Sequence, residues 1–206
     1  MKSSVLTTQP TPKTTPALSP QRFHTLVIDP PWPLDFTGRR SFRKTTTNAW
    51  KGYETISLPY PTMSLEEIRS LPVKQLLAND SHVYLWTINH FIRESYAIAE
   101  AWGLRPVQLL TWCKRSMGLG LGGTFVNTTE HILFCKRGNL KALQRIDTSW
   151  WLWKRQYRHS QKPEDFQDMI ETVSPGPYLE LFARRKRPGW RVWGNEVESD
   201  IQIEVK

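Results

Sequence analysis

The segment Phe23-His24-Thr25-Leu26-Val27-Ile28, followed at once by Asp29-Pro30-Pro31-Trp32, constrains this chain more than any other. Its apolar, partly β-branched run has the length of one buried strand, and two consecutive prolines lack the N–H groups that would continue a ladder. A carboxylate therefore stands at the carboxyl end of a buried strand, at the start of a stiff loop. Further strands are predicted over 83–86, 107–112, 131–135, 178–182 and 190–193. Ser64-Leu65-Glu66-Glu67 is a capping box that opens a short helix. A second helix starts at Asn89, with Phe91, Ile92, Ile98, Ala99 and Trp102 near one face and Gly103 as its stop. The third begins at Pro163, carries Glu164 and Asp165 in its first turn, and spaces Phe166, Met169, Ile170 and Val173 at helical intervals up to Ser174-Pro175-Gly176-Pro177. Alternating strands and helices predict an α/β sheet with helices on both faces and any ligand outside the carboxyl ends of the strands.

Residues 1–20 are dominated by Ser, Thr and Pro, a composition that cannot bury enough apolar area to order itself, so a flexible tail is expected ahead of one domain over 21–206. No run approaches a membrane span or the apolar core of a signal peptide, and a soluble, cytosolic protein is expected. Cys113 and Cys135 are too few for a disulfide framework or a four-thiol metal site, and both are expected to be buried reduced thiols. No metal is expected. Lys and Arg number 28 against 19 acids, a net charge of +9, and ten tryptophans accompany them. A basic, aromatic-rich chain points toward a polyanion with flat bases. Gly118-Leu119-Gly120-Leu121-Gly122-Gly123 satisfies G-x-G-x-x-G, but no helix follows it and no acid closes a next strand, so a surface loop is the reading there.

Asp-Pro-Pro-Trp suits one particular chemistry. An exocyclic amino group on a heteroaromatic ring is a poor nucleophile because its lone pair is delocalised. Asp29 and the Pro30 carbonyl could each accept one N–H bond and aim that lone pair at an electrophile, while the prolines fix the geometry and Trp32 offers a wall on which a base stacks. No strong base is required, since a methylated ammonium loses its proton readily. A Pro-Pro turn with a core tryptophan would use the same residues for structure alone.

The chain resembles the DPPW adenine methyltransferases, which include the messenger-RNA adenosine methylating enzymes of eukaryotes and their bacterial and phage relatives. Beyond Asp29-Pro30-Pro31-Trp32 the matching blocks are Tyr60-Pro61-Thr62-Met63-Ser64, Leu85-Trp86-Thr87-Ile88-Asn89, Leu110-Thr111-Trp112-Cys113-Lys114 and Asn127-Thr128-Thr129-Glu130-His131. His159-Ser160-Gln161-Lys162-Pro163, Leu179-Glu180-Leu181-Phe182-Ala183-Arg184 and Trp193-Gly194-Asn195-Glu196 complete the set, in the family's order. The resemblance implies a Rossmann-like S-adenosylmethionine-dependent methyltransferase fold in permuted order, the catalytic strand preceding the cofactor strand. It implies that Asp29 and Pro30, with Pro31 and Trp32, form the catalytic loop, Asp29 also lying near the methionine end of the cofactor. Tyr60 would lie beside a flipped base. Glu130 would touch the substrate or support a residue that does. Lys162 would stand where cofactor and substrate meet, with His159 and Ser160 just before it, and Glu180, Phe182, Arg184, Asn195 and Glu196 would contact the cofactor. Two departures limit the transfer: Arg185-Lys186-Arg187 replaces a cofactor-touching Pro-His-Asn, and the acid that reads the cofactor adenine has no counterpart.

Three acid-free basic stretches read as a phosphate track that fixes register without reading sequence. They are Arg39, Arg40, Arg43, Lys44 and Lys51; Lys154, Arg155, Arg158 and Lys162 beside Trp150, Trp151, Trp153 and Tyr157; and residues 184–187 with Arg191. The expected activity is methyl transfer to the 6-amino group of adenine in nucleic acid, with DNA as the target because no RNA-binding module accompanies the compact domain. The same chemistry on RNA and a catalytically silent binding subunit are the alternatives, and retention of Asp-Pro-Pro-Trp argues against the second. Cytosine enzymes usually carry Ser before the prolines, so Asp29 favours adenine. A homodimer is one arrangement the resemblance implies.

Overall fold

A computed structural model describes residues 22–34, 40–44, 50–55, 61–114, 125–154 and 162–203, with the backbone only for 40–44 and 50–55. In chain order the elements are β1 (Phe23–Ile28), β2 (Arg40–Lys44), β3 (Trp50–Thr55), α1 (Leu65–Ser70), α2 (Val73–Leu76), β4 (Leu77–Thr87) and, after a 3-10 turn at Asn89–Phe91, α3 (Ile92–Ala101). They continue with β5 (Arg105–Cys113), β6 (Thr129–Arg137), β7 (Trp150–Trp151), α4 (Glu164–Val173), β8 (Tyr178–Leu181) and β9 (Trp190–Trp193). The predicted strands and helices are all present, and β1 and β9 have the predicted bounds. The hairpin of β2 with β3 and the two-residue β7 were not anticipated.

Seven strands form one sheet in the order β7-β5-β6-β4-β1-β8-β9. Pairings β1–β4, β1–β8, β8–β9 and β5–β7 are parallel, whereas β6 runs antiparallel to both β4 and β5. Because side chains alternate across a strand, the central strands supply two cores at once. Leu26 and Ile28 of β1, Val83 and Leu85 of β4 and Leu133 of β6 meet Ile68 of α1 and Ile98 and Ala99 of α3 on one face. Val27, Tyr84, Trp86 and Ile132 meet Phe166, Met169 and Ile170 of α4 on the other. Each fully buried side chain of this kind contributes roughly 1.5–3 kcal/mol, so burial on both faces supports β1 and β4 strongly.

The capping box closes as expected: the Glu67 N–H donates to Ser64 Oγ and the Ser64 N–H to the Glu67 carboxylate. Gly103 ends α3 with φ +76°, the left-handed conformation that a residue without Cβ adopts cheaply. Cys135 is fully buried, which pushes its thiol up to about 12, while Cys113 is half-buried. No helix among the described residues is long and apolar enough to cross a membrane.

Candidate active site

The topology gathers chain segments that are far apart in sequence. Asp29 follows the last residue of β1, Thr87 ends β4, Lys114 follows β5, and residues 182–184 and 194–196 follow β8 and β9. Strand β6 runs the opposite way, so its first residues, including Glu130, arrive at that same edge: Glu130 pairs with Trp112 near the end of β5. A cavity of about 180 Å³ opens there, lined by residues 29–32, Thr87, Ile88, Glu130, Lys162, residues 182–184, Asn195 and Glu196, among others.

Backbone hydrogen bonds fix the Asp-Pro-Pro-Trp loop. The Trp32 N–H donates to the Pro30 carbonyl (2.9 Å), the Met63 N–H to the Pro31 carbonyl (2.9 Å) and the Leu34 N–H to the Trp32 carbonyl (2.7 Å). One lone pair of the Pro30 oxygen is thus occupied and a second is available to a ligand. The Trp32 ring is committed to the protein rather than offered to a base. It is 5% exposed, stacks on Phe91 at 5.2 Å between centroids, and donates its indole N–H to the Trp86 carbonyl (3.0 Å). The expected stacking wall is therefore mainly a packing anchor, because the turn into α3 brings an apolar ring against it.

Asp29 does not stand alone. Lys162 Nζ lies 3.1 Å from Asp29 Oδ1 and 3.0 Å from Glu130 Oε2, over the Trp86 ring at 4.7 Å, and Lys114 Nζ lies 2.8 Å from Glu130 Oε1. Side chains in this cluster are 17–22% exposed. Burial raises the Asp29 carboxyl; Lys162 opposes that and the Glu130 charge adds to it. Burial pushes Glu130 the same way, but two ammonium groups outweigh it and hold the carboxyl at about 2. Burial alone would depress Lys162, yet Asp29 and Glu130 raise it, so it is a cation at any ordinary pH. Two carboxylates and two ammonium groups cancel, which makes a buried charged cluster tolerable. Glu130 thus acts first on Lys162, and Lys114 is a member of the cluster to which the sequence assigned no role.

Behind the Asp29–Lys162 pair lies a second cavity of about 30 Å³, lined by Asp29, Lys162, Pro163, Gln167, Glu180, Arg185 and neighbouring groups. Alternation along β8 turns Glu180 toward α4, where Gln167 Nε2 donates to Glu180 Oε2 at 2.6 Å. Glu180 faces this smaller cavity, whose lining it shares with Asp29, Lys162, Phe182 and Arg184, and is absent from the lining of the larger one. Burial, and then the Asp29 charge, push its carboxyl up to about 7. Phe182 turns the chain between the two cavities with φ +62°, unusual for a residue with a side chain, and sets its ring edge-on to Trp193. Arg184 Nη1 lies 3.3 Å from Glu196 Oε1 at the mouth.

The phosphate track is not supported where it can be inspected at residues 184–187. Arg184 meets Glu196, Arg185 meets Glu164 and Gln167, Lys186 meets Glu198 and Asp200, and Arg187 meets Asp168 and Glu171. Acids at helical spacing on α4 neutralise Arg185 and Arg187 and tie them to the helix, and acids that follow β9 neutralise Arg184 and Lys186. Lys162, from the second stretch, is buried in the site. Arg40, Arg43 and Lys44 lie on β2, described by backbone alone, and Arg39, Tyr60, His159, Ser160 and the glycine cluster at 118–123 lie outside the described residues, as does the tail.

A mixed sheet with one reversed strand, clothed on both faces and holding a charged cavity at its carboxyl edge, is the scaffold of a Rossmann-like methyltransferase domain. The sequence profile of the MT-A70 family matches residues 23–196, and the chain belongs to that family. Type II methyltransferase M.MunI from Mycoplasma sp is 28% identical over 92% of this chain and 84% of its own length. A probable N(6)-adenosine-methyltransferase MT-A70-like protein of Oryza sativa subsp. japonica is 29% identical over 85% of the chain, and the human N(6)-adenosine-methyltransferase catalytic subunit METTL3 27% over 86%. The chain spans 23% and 28% of those two relatives.

Proposed function

We propose that this protein transfers a methyl group from S-adenosylmethionine to the 6-amino group of adenine in DNA. The observation that carries the reading is the Asp29 carboxylate, held by Lys162 in the lining of a cavity to which the residues after β8 and β9 also contribute. Family membership supports the chemistry, and a match covering most of both chains to a type II methyltransferase supports DNA over RNA. The strand bearing Asp29 comes before the strands facing it in the chain, which agrees with the permuted order.

The donor set fits the cofactor. A carboxylate suits a sulfonium, an amide and a carboxylate at Asn195 and Glu196 suit ribose hydroxyls, and Arg184 suits an anion. When bound, S-adenosylmethionine supplies an electrophilic methyl group. The protein's part is positioning and electrostatics. Asp29 and the remaining lone pair of the Pro30 carbonyl accept the two N–H bonds of the amine and turn its lone pair outward. Lys162 keeps the Asp29 carboxylate in place, and Glu130 keeps Lys162 in place. In a duplex the base must first leave the stack, at a cost of a few kcal/mol.

Transfer of a tritiated methyl group to DNA and to RNA, with digestion to identify the labelled base, tests this directly. Labelled 6-methyladenine in DNA is expected, reduced by about 10²–10³-fold in Asp29→Ala on the scale of a lost transition-state hydrogen bond. Undiminished activity in that variant would remove the mechanism. Cofactor binding without transfer to either polymer would instead indicate a silent subunit.

A further inference from the structure

The charges around the larger cavity balance without Glu180. Asp29 and Glu130 are matched by Lys162 and Lys114, and Glu196 faces Arg184. Glu180 stands behind this set, beside the Asp29–Lys162 pair, in a cavity of about 30 Å³, large enough to admit water. Its hydrogen-bond partner on α4 is the neutral amide of Gln167. The charges around it are Asp29 from the end of β1, Lys162, which is held by Asp29 and Glu130, Arg184, which faces Glu196, and Arg185 and Arg187, which are engaged by Glu164, Asp168 and Glu171 of α4. Its neighbours in the ladders, Val27 and Val192, carry no charge. Asp29, the carboxylate that a further cation in the larger cavity would meet, is already shared with Lys162, so such a cation leaves one positive charge in excess, which is costly away from water.

The functional reading above makes the methyl donor that cation, and the spent product differs from it by the loss of one positive charge. On that reading we propose that Glu180 is the residue by which the site distinguishes donor from product. A sulfonium beside Asp29 drives the Glu180 proton out to solvent and gains a counter-charge, whereas a neutral sulfide leaves the proton in place. Glu180 is a specificity-determining residue acting through Asp29, without touching the reacting atoms. Burial and the Asp29 charge push the carboxyl up to about 7, which places the effect in the physiological range.

Binding, rather than turnover, tests the idea. Dissociation constants for S-adenosylmethionine and S-adenosylhomocysteine are measured by calorimetry from pH 6 to pH 8 in the intact protein and in Glu180→Gln, an isostere that can still accept from Gln167. Donor affinity is expected to rise about tenfold more across this range in the intact protein than in the variant, with no such difference for the product. The amino groups of the ligands titrate equally in both proteins and cancel. Equal pH slopes in the two proteins overturn the proposal while leaving donor binding intact. Failure of the intact protein to bind either ligand overturns the functional reading as well. Should Glu180→Gln not fold, carboxyl-carbon NMR of the intact protein at pH 7 decides the matter: the Glu180 resonance moves toward the ionised position with donor and stays with product, or the idea is wrong.

Discussion

Lys162 has two acidic neighbours and an aromatic bed, and its loss would leave Asp29 without its counter-charge and Glu130 with Lys114 alone. Breaking a buried pair by removing one partner costs about 3–5 kcal/mol. Urea unfolding of Lys162→Met should show a loss of that order, and pairing it with Glu130→Gln should recover part of it. Strictly additive losses would show that the two side chains do not communicate. At this scale the sequence revealed Asp29, because a carboxylate terminating an apolar run must emerge at a strand end. It also singled out Lys162 and Glu130, through ordered blocks shared with a family, and the structure brings the two together. Their mutual contact was not legible, since nothing local couples residues on different elements. Trp32 shows the converse: its chemistry suggested a stacking surface, and only the position of Phe91 shows how little of the ring remains for that.

Among the elements, hydrophobic periodicity located the long strands and helices because each has a face to bury. The β2–β3 hairpin and β7 escaped for a physical reason: Arg40–Lys44 is highly charged, and two residues are too few to show a period. The reversed direction of β6 escaped too, although it delivers Glu130 to the site; sequence shows that a strand exists, not which way it runs. One interelement contact has a measurable signature. His82 of β4 is fully buried, bonded to Ser174 Oγ at the end of α4 (2.7 Å) and to the Leu140 carbonyl (3.1 Å), and burial lowers it to about 4. The unfolded chain binds that proton near pH 6.5, so stability is complete above this pH and drains away as pH falls toward 4. Unfolding the intact protein should take about 2–3 kcal/mol less at pH 4.5 than at pH 7, beyond any change in His82→Gln. A pH dependence unaltered by the substitution would place the acid sensitivity elsewhere.

For the molecule as a whole, a net charge of +9 suggested broad contact with a polyanion, but the basic run at 184–187 is spent on internal acids. Its contribution to nucleic-acid affinity should accordingly be small. In fluorescence anisotropy, Lys186→Gln should leave affinity for a DNA duplex within about twofold and the salt slope unchanged, whereas a released phosphate contact would reduce that slope by about one. Composition reports total charge and is blind to how much is already neutralised.

The position of β1 between two parallel neighbours has a mechanical corollary. Thr25–Ile28 is laced on both sides, to β4 and to β8, so Asp29 hangs from a strand with no free edge. Amide hydrogens of Leu26, Val27 and Ile28 should exchange among the slowest in the protein by mass spectrometry or NMR, opening only when the entire sheet comes apart. The attacking end of the reaction is thus bolted down, and whatever pliancy the enzyme needs to admit and release a nucleobase has to come from its periphery.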